Sequence, residues 1–382
     1  MPSRLLVNRR QSTVLDPPPG PAVRDLHRRL PGYAATPLRE LPDLAAGCGV
    51  GRVLVKAEVE RFGLPSFKVL GASWATYRLL VGRLGEEPEW SAVDELATAV
   101  AAELGPLRLV AATDGNHGRA VAYMARLLGL AATILVPEGT ADARIEAIAG
   151  EGAEVRVVDG TYDDAVAASA ALASPTDLVV SDTSWPGYED PPRWVIEGYS
   201  TIFAEVAEEL PMLGIDSFDQ IDVVVVPLGV GALGAASTVS LRHERPPGEA
   251  PMLVGVEPTT AACVAAAVEA GQVVEVPGPH RSIMAGLNCG LASPLALPLV
   301  TAGFRALVAV DDDRCRAAVR ALAQADMEVG ETGAAALAGL TALVDEFHAP
   351  LPLAPDATVL LLATEGVTDP AGFEAITGHP PR

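Results

Sequence analysis

The feature that most narrows what this chain can fold into is an alternation running from about residue 50 to its end. Short apolar runs of strand length take turns with segments of helical period. The plainest run is Val223-Val224-Val225-Val226, which ends in Pro227 and a glycine-rich turn. Similar runs at 52–55, 107–112, 132–136, 154–158, 178–180, 252–256, 306–310 and 359–362 read as strands. Helical spacing predicts helices over 69–80, 119–128, 165–173 and 194–210, and one starting at 143. Several of these strands are apolar at every position, as in parallel sheets covered on both faces. Strands alternating with helices of this length imply βαβ units and a doubly wound α/β architecture. With 382 residues and no internal repeat, the chain should form two or three domains. Linkers are expected near Gly85-Glu86-Glu87-Pro88 and over 187–192.

Composition removes several classes of function. A net charge of -22 argues against nucleic acid, whose phosphates need a basic footprint. No apolar run reaches the roughly 18 residues of a membrane helix, and the first 21 residues lack the apolar core of a signal peptide, so the expected location is the cytoplasm. Cys48, Cys263, Cys289 and Cys315 form no CxxC pair, and the six histidines are scattered, so no metal site is expected. The basic residues are more telling. Only two of the 27 are lysines, Lys56 and Lys68. Codon bias towards arginine accounts for the total, but under such bias a lysine survives where arginine cannot serve. A Schiff base is one such place, because it needs a primary amine that can lose its proton.

Three segments carry candidate chemistry. Lys68 ends Gly63-Leu64-Pro65-Ser66-Phe67-Lys68, just before an apolar helical pattern. A helix start disfavours an ammonium and offers its backbone N–H groups to anions. A solvated lysine flanking a helix would look the same. Thr113-Asp114-Gly115-Asn116-His117-Gly118 falls where a strand gives way to a helix, the usual place for ligands in open α/β sheets. There Asp114 could act as acid or base and Asn116 could bond a phenolic oxygen, although a plain Asp/Gly/Asn turn is also compatible. Gly229-Val230-Gly231-Ala232-Leu233-Gly234 follows the valine strand and forms a phosphate cradle in front of a helix. The same six residues fit the dinucleotide fingerprint GxGxxG, with Glu257 at the end of the next strand, so an NAD-binding oxidoreductase is the alternative on this segment. That fingerprint would sit unusually late in the chain. Asp182, in Asp182-Thr183-Ser184-Trp185-Pro186-Gly187-Tyr188, and Thr364, in Thr364-Glu365-Gly366, also follow strands. A hydroxyl on a pyridine nitrogen would favour elimination over chemistry needing a full electron sink.

Taken in order, these segments resemble the fold-type II pyridoxal 5'-phosphate (PLP) enzymes, and most closely the diaminopropionate ammonia-lyase family. Phe67-Lys68 with Leu70-Gly71-Ala72-Ser73 is similar to its cofactor-lysine motif, the segment from Thr113 to Gly118 to its TDGNHG, and that from Asp182 to Tyr188 to its DTxWxGY. Val256-Glu257-Pro258, Ile283-Met284-Ala285-Gly286-Leu287, Gly330-Glu331-Thr332-Gly333 and Thr364-Glu365-Gly366 extend the match over about residues 30–370. Asp114 is discriminating, since dehydratases and cysteine synthases of this fold usually carry serine there. Ala57, Leu291, Thr332 and Val367 depart from the family pattern, on the substrate side and at the entrance.

The resemblance implies two doubly wound parallel-sheet domains with the cofactor in the cleft between them: residues 1–90 with 200–382 as a large PLP-binding domain, and 91–199 as a small one. It implies α,β-elimination of 2,3-diaminopropionate, or of a related β-substituted amino acid, to pyruvate and ammonia. A serine/threonine dehydratase or a β-replacement synthase is the alternative within the fold. Lys68 would hold PLP, Asn116 would meet its O3' and Thr364 its pyridine nitrogen. Gly229, Val230, Gly231, Ala232 and Leu233 would take its phosphate. Asp114 and Asp182 would divide the acid–base work, serving opposite faces of the substrate. The expected partner is a small amino acid, with no membrane or nucleic acid, and the expected assembly a homodimer. Cys263 and Cys289 stand where family members also carry cysteine, which implies neighbours near the entrance, able to pair.

Overall fold

The structure is a computed structural model that describes residues 2–113 and 115–382. Eleven strands are present among them: β1 Arg4–Val7, β2 Leu38–Glu40, β3 Arg52–Ala57, β4 Arg108–Ala112, β5 Ala131–Pro137, β6 Glu154–Val158, β7 Asp177–Val179, β8 Val223–Pro227, β9 Met252–Pro258, β10 Phe304–Val310 and β11 Thr358–Ala363. They form a seven-stranded sheet, ordered β1-β10-β9-β8-β11-β3-β2, and a four-stranded sheet, ordered β6-β5-β4-β7. The small sheet is parallel throughout. The large one is parallel except at its ends, where β1 runs antiparallel to β10 and β2 to β3. Every nonpolar strand predicted from the sequence is present, and β8 and β11 are buried at every residue, as strands covered on both faces must be.

The chain divides into two compact units. One comprises the residues up to Pro18 with Ala35–Glu60 and Ile202–Arg382; the other comprises Pro19–Ala34 and Arg61–Thr201. Each sheet belongs to one unit. The sequence boundary at residue 90 differs from this division, because the helix Lys68–Leu84 packs on the helices Asn116–Leu127 and Asp190–Gly198 of the smaller unit. That packing is close. A methyl group on Gly198 would lie 2.4 Å from Leu70 O and 2.7 Å from Gly71 Cα, so only glycine allows the two helices to cross there. The single helix expected over 194–210 is two helices, Asp190–Gly198 and Ser200–Glu209.

In the larger unit the helix Glu331–Asp345 lies almost wholly buried against the sheet. Its run of alanines and glycines brings the backbone close: a methyl on Gly339 would meet Val256 Cγ2 at 2.3 Å. Among the described residues no helix is long and apolar enough to cross a membrane.

Candidate active site

In the smaller unit the helix Lys68–Leu84 begins at the lysine itself. Its Nζ lies 2.7 Å from Asp182 Oδ2, with the lysine side chain 19% exposed and the aspartate 6%. Asp182 follows β7 in a loop that its own aromatic residues hold rigid. Trp185 and Tyr188 stack with ring centroids 4.1 Å apart and 9° between planes. The Tyr188 hydroxyl donates to Val179 O at 2.7 Å and accepts from Ser181 N at 3.1 Å. The second carboxylate oxygen of Asp182 accepts from the Tyr162 hydroxyl at 2.9 Å. Burial opposes the ionisation of Asp182, yet the Lys68 ammonium, His117 and Tyr162 hold its carboxyl well below the usual carboxylate range.

His117 is buried in the same neighbourhood. Its Nε2 lies 2.8 Å from Val180 O, and a carbonyl only accepts, so Nε2 carries the proton. Its Nδ1 is buried with no hydrogen-bond partner among the described residues. Burial pushes the imidazole's pKa down, against the pull of Asp182.

Asn116 opens the helix Asn116–Leu127. The turn before it is tied down by Gly115 N donating to Thr113 Oγ1 at 2.8 Å. Gly118 is needed because a methyl there would strike Thr113 Cγ2 at 2.3 Å and Ile134 Cγ2 at 2.5 Å. Asp114, the other expected acid–base group, lies outside the described residues.

In the larger unit the glycine-rich turn has the form expected of a phosphate cradle. Gly231 has φ +102° and caps the helix Ala232–Arg242. The first intrahelical bond runs from Ala235 N to Gly231 O at 2.8 Å, so the preceding N–H groups of Ala232, Leu233 and Gly234 precede the helix's own acceptors. A methyl on Gly229 would come within 3.0 Å of Gly286 O, so the turn packs tightly there. Thr364 follows β11 and is buried, and its hydroxyl has no hydrogen-bond partner among the described residues. A buried hydroxyl left unpaired is costly, and a pyridine nitrogen is a partner that would satisfy it. The turn and the Thr364 hydroxyl in the larger unit, and the lysine–carboxylate pair in the smaller one, are each of a kind that suits a group of PLP: an anion, a ring nitrogen and an aldehyde. Among the described residues no three His, Cys, Asp or Glu side chains group as metal ligands.

The acidic residue that a dinucleotide would need is otherwise engaged. Glu257 is fully buried and accepts from Val264 N at 2.7 Å and Ala265 N at 2.8 Å, capping the helix Cys263–Ala270. The thiol of Cys263 donates to Gly229 O at 3.6 Å, and a methyl on Gly229 would lie 3.6 Å from Cys289 Sγ. Both cysteines are buried beside that turn, and neither is in a disulfide.

Two features escaped sequence reasoning. Tyr162 is the first residue of a helix that Thr161 and Asp164 cap, so locally it reads as helix-start packing. Lys56 is fully buried, paired with Glu205 at 3.0 Å and Glu209 at 2.6 Å, which explains the second lysine structurally. A charged residue late in the otherwise apolar run of β3 was the available signal.

Comparison with known proteins agrees with this geometry. A family model described as "Pyridoxal-phosphate dependent enzyme" matches residues 29–365. Diaminopropionate ammonia-lyase of Escherichia coli strain K12 is 34% identical over 359 residues, 91% of this chain and 88% of that protein. The crystal structure of the Escherichia coli enzyme with D-serine has a TM-score of 0.89 and 31% identity, covering 98% of this chain and 96% of that one. Its complex with an aminoacrylate–PLP azomethine reaction intermediate matches with a TM-score of 0.87 at 31% identity, over the same shares of the two chains.

Proposed function

The chain belongs to the pyridoxal-phosphate-dependent enzymes of fold type II, and from that premise we propose that it eliminates ammonia from 2,3-diaminopropionate, or from a closely related β-substituted amino acid. One diaminopropionate and one water would give one pyruvate and two ammonia. Lys68 would hold the cofactor, Asn116 would meet its phenolic oxygen, and Thr364 its pyridine nitrogen. Gly229, Val230, Gly231, Ala232 and Leu233 would take the phosphate. Bound there, PLP supplies the electron sink that makes the substrate's α-proton removable.

The protein's own residues would move the protons. An amine is a poor leaving group unless it departs protonated, so one carboxyl must deliver a proton to the β-nitrogen while a carboxylate takes one from Cα. Asp182 and Asp114 are the candidates, one for each face of the substrate. Asp182 has a contact on each carboxylate oxygen, which orients it for such work. The observation that supports this reading most strongly is the 2.7 Å Lys68–Asp182 pair, which sets a carboxylate against the cofactor amine.

The test is turnover of D- and L-diaminopropionate by the PLP-loaded protein, with pyruvate and ammonia both measured. Two ammonia per pyruvate supports the proposal. Faster turnover of serine or threonine, with one ammonia per oxoacid, would instead identify a dehydratase. We further propose a homodimer working in the cytoplasm. That the four cysteines stand outside any disulfide supports a reducing compartment, and a monomer in sedimentation would overturn the assembly.

A further inference from the structure

We propose that Tyr162 is a positioning residue that aims the Asp182 carboxylate and thereby sets the enzyme's relative rates on the two enantiomers of its substrate. This rests on the assignment of Asp182 as an acid–base group. A carboxylate has two oxygens and can turn about its Cβ–Cγ bond unless both are held. In Asp182 the two holds are of different kinds. Oδ2 faces Lys68 at 2.7 Å, and Oδ1 faces Tyr162 at 2.9 Å. The lysine is the group that the reaction must engage, so its hold cannot persist through a catalytic cycle. The tyrosine's can.

The geometry of Tyr162 suits that role. It sits at the start of the helix Tyr162–Ala170, whose first turn is fixed by a capping box between Thr161 and Asp164. The tyrosine is buried, so its ring has little freedom to swing. An ionised carboxylate only accepts hydrogen bonds, so in this contact the phenol donates. His117, the other polar side chain near Asp182, spends its Nε2–H on Val180 O and offers the carboxylate no competing donor from that nitrogen. Tyr162 is therefore the one fixed donor observed on Asp182 apart from the lysine, among the described residues.

If the two aspartates serve opposite faces of the substrate, loosening one of them changes the balance between enantiomers. Tyr162→Phe removes the hydroxyl and keeps the ring, so the packing of the helix start is preserved. A hydrogen bond to a charged group is worth about 10- to 100-fold in an equilibrium or rate. We therefore expect kcat to fall about 10- to 100-fold on the enantiomer that depends on Asp182, with KM and PLP affinity nearly unchanged. The D:L rate ratio should move in the same direction as in Asp182→Asn. Combined with Asp182→Asn, the Tyr162 change should add nothing, because its effect passes through that carboxylate.

A measurement without cofactor or turnover complements these. In the apoprotein, Lys68 held by Asp182 should react slowly with an amine-acylating reagent. Peptide mapping isolates its rate cleanly, since Lys56 is buried. Tyr162→Phe should speed that labelling severalfold by loosening the pair, as should Asp182→Asn. An unchanged D:L ratio, additive losses in the double variant, or unaltered Lys68 labelling would each overturn the proposal. A wild-type protein that binds no PLP, or that ignores both enantiomers of diaminopropionate, would instead overturn the functional reading on which it rests.

Discussion

Lys56 offers a test of how this chain uses its two lysines. In Lys56→Met the buried carboxylate of Glu205 and the partly buried one of Glu209 lose the ammonium that pairs with them at 3.0 and 2.6 Å. The oxygens keep some donors: Thr36 N reaches Glu205 Oε2 at 3.3 Å, and Leu38 N reaches Glu209 Oε2 at 2.7 Å. Two like charges nonetheless remain close together, and Glu205 has no access to water. Removing one partner of a buried ion pair destabilises by about 3–5 kcal/mol. At roughly 2–4 °C per kcal/mol for a unit of this size, the melting temperature should drop by about 6–20 °C. The assay is thermal and denaturant unfolding of the apoprotein, which keeps cofactor binding out of the comparison. Lys56→Met combined with Glu205→Gln should recover part of the loss by removing one stranded charge. A loss below about 1 kcal/mol, the size typical of an exposed pair, would refute the reasoning.

Asp114→Asn and Asp182→Asn should each retain PLP and lose about 10²- to 10⁴-fold in turnover, the usual worth of a general acid or base. The losses should fall unequally on D- and L-diaminopropionate, and equal, small losses would end the division of labour. Thr364→Val should leave the apoprotein as stable or slightly more so, because it deletes an orphaned buried hydroxyl. It should also weaken PLP binding in a fluorescence titration; unchanged affinity would remove Thr364 from the cofactor site. Burial pushes the Glu257 carboxyl up to about 8, against the two backbone N–H groups it accepts from. A carboxyl whose folded pKa lies above its unfolded value of about 4.3 holds its proton longer in the native state. Its contribution to stability is thus full below about pH 4.3 and declines as pH rises towards 8, and Glu257→Gln should flatten that decline in urea titrations.

The parallel strands were legible because burial on both faces leaves an unbroken apolar run, as in 223–226. The edge strands were not. Arg4–Val7 and Leu38–Glu40 are short, mix charges with apolar residues and pair antiparallel, so they carry no such run. The helix Glu331–Asp345 was hidden for the opposite reason: it is apolar all round and shows no polar face to set a period. At the site, residue chemistry and strand-end placement singled out Lys68, Asn116, Asp182, Thr364 and the glycine turn. The contact between Lys68 and Asp182 is another matter, since 114 residues separate them and only the fold of the smaller unit brings them together. Tyr162 reaches Asp182 from 20 residues away with no motif to mark it. The boundary near residue 61 was invisible because it follows from how the helix Lys68–Leu84 packs in three dimensions, which no local composition records.

The central claim is that Lys68 is the residue that holds the cofactor, and chemical trapping tests it most directly. The PLP-loaded protein is reduced with borohydride, digested, and its pyridoxyl-bearing peptide identified by mass spectrometry. The predicted result is a single modified peptide carrying the group on Lys68, with none formed in Lys68→Ala and the same peptide formed in Lys56→Arg. A pyridoxyl group found on Lys56, or trapping that survives the loss of Lys68, would contradict the account.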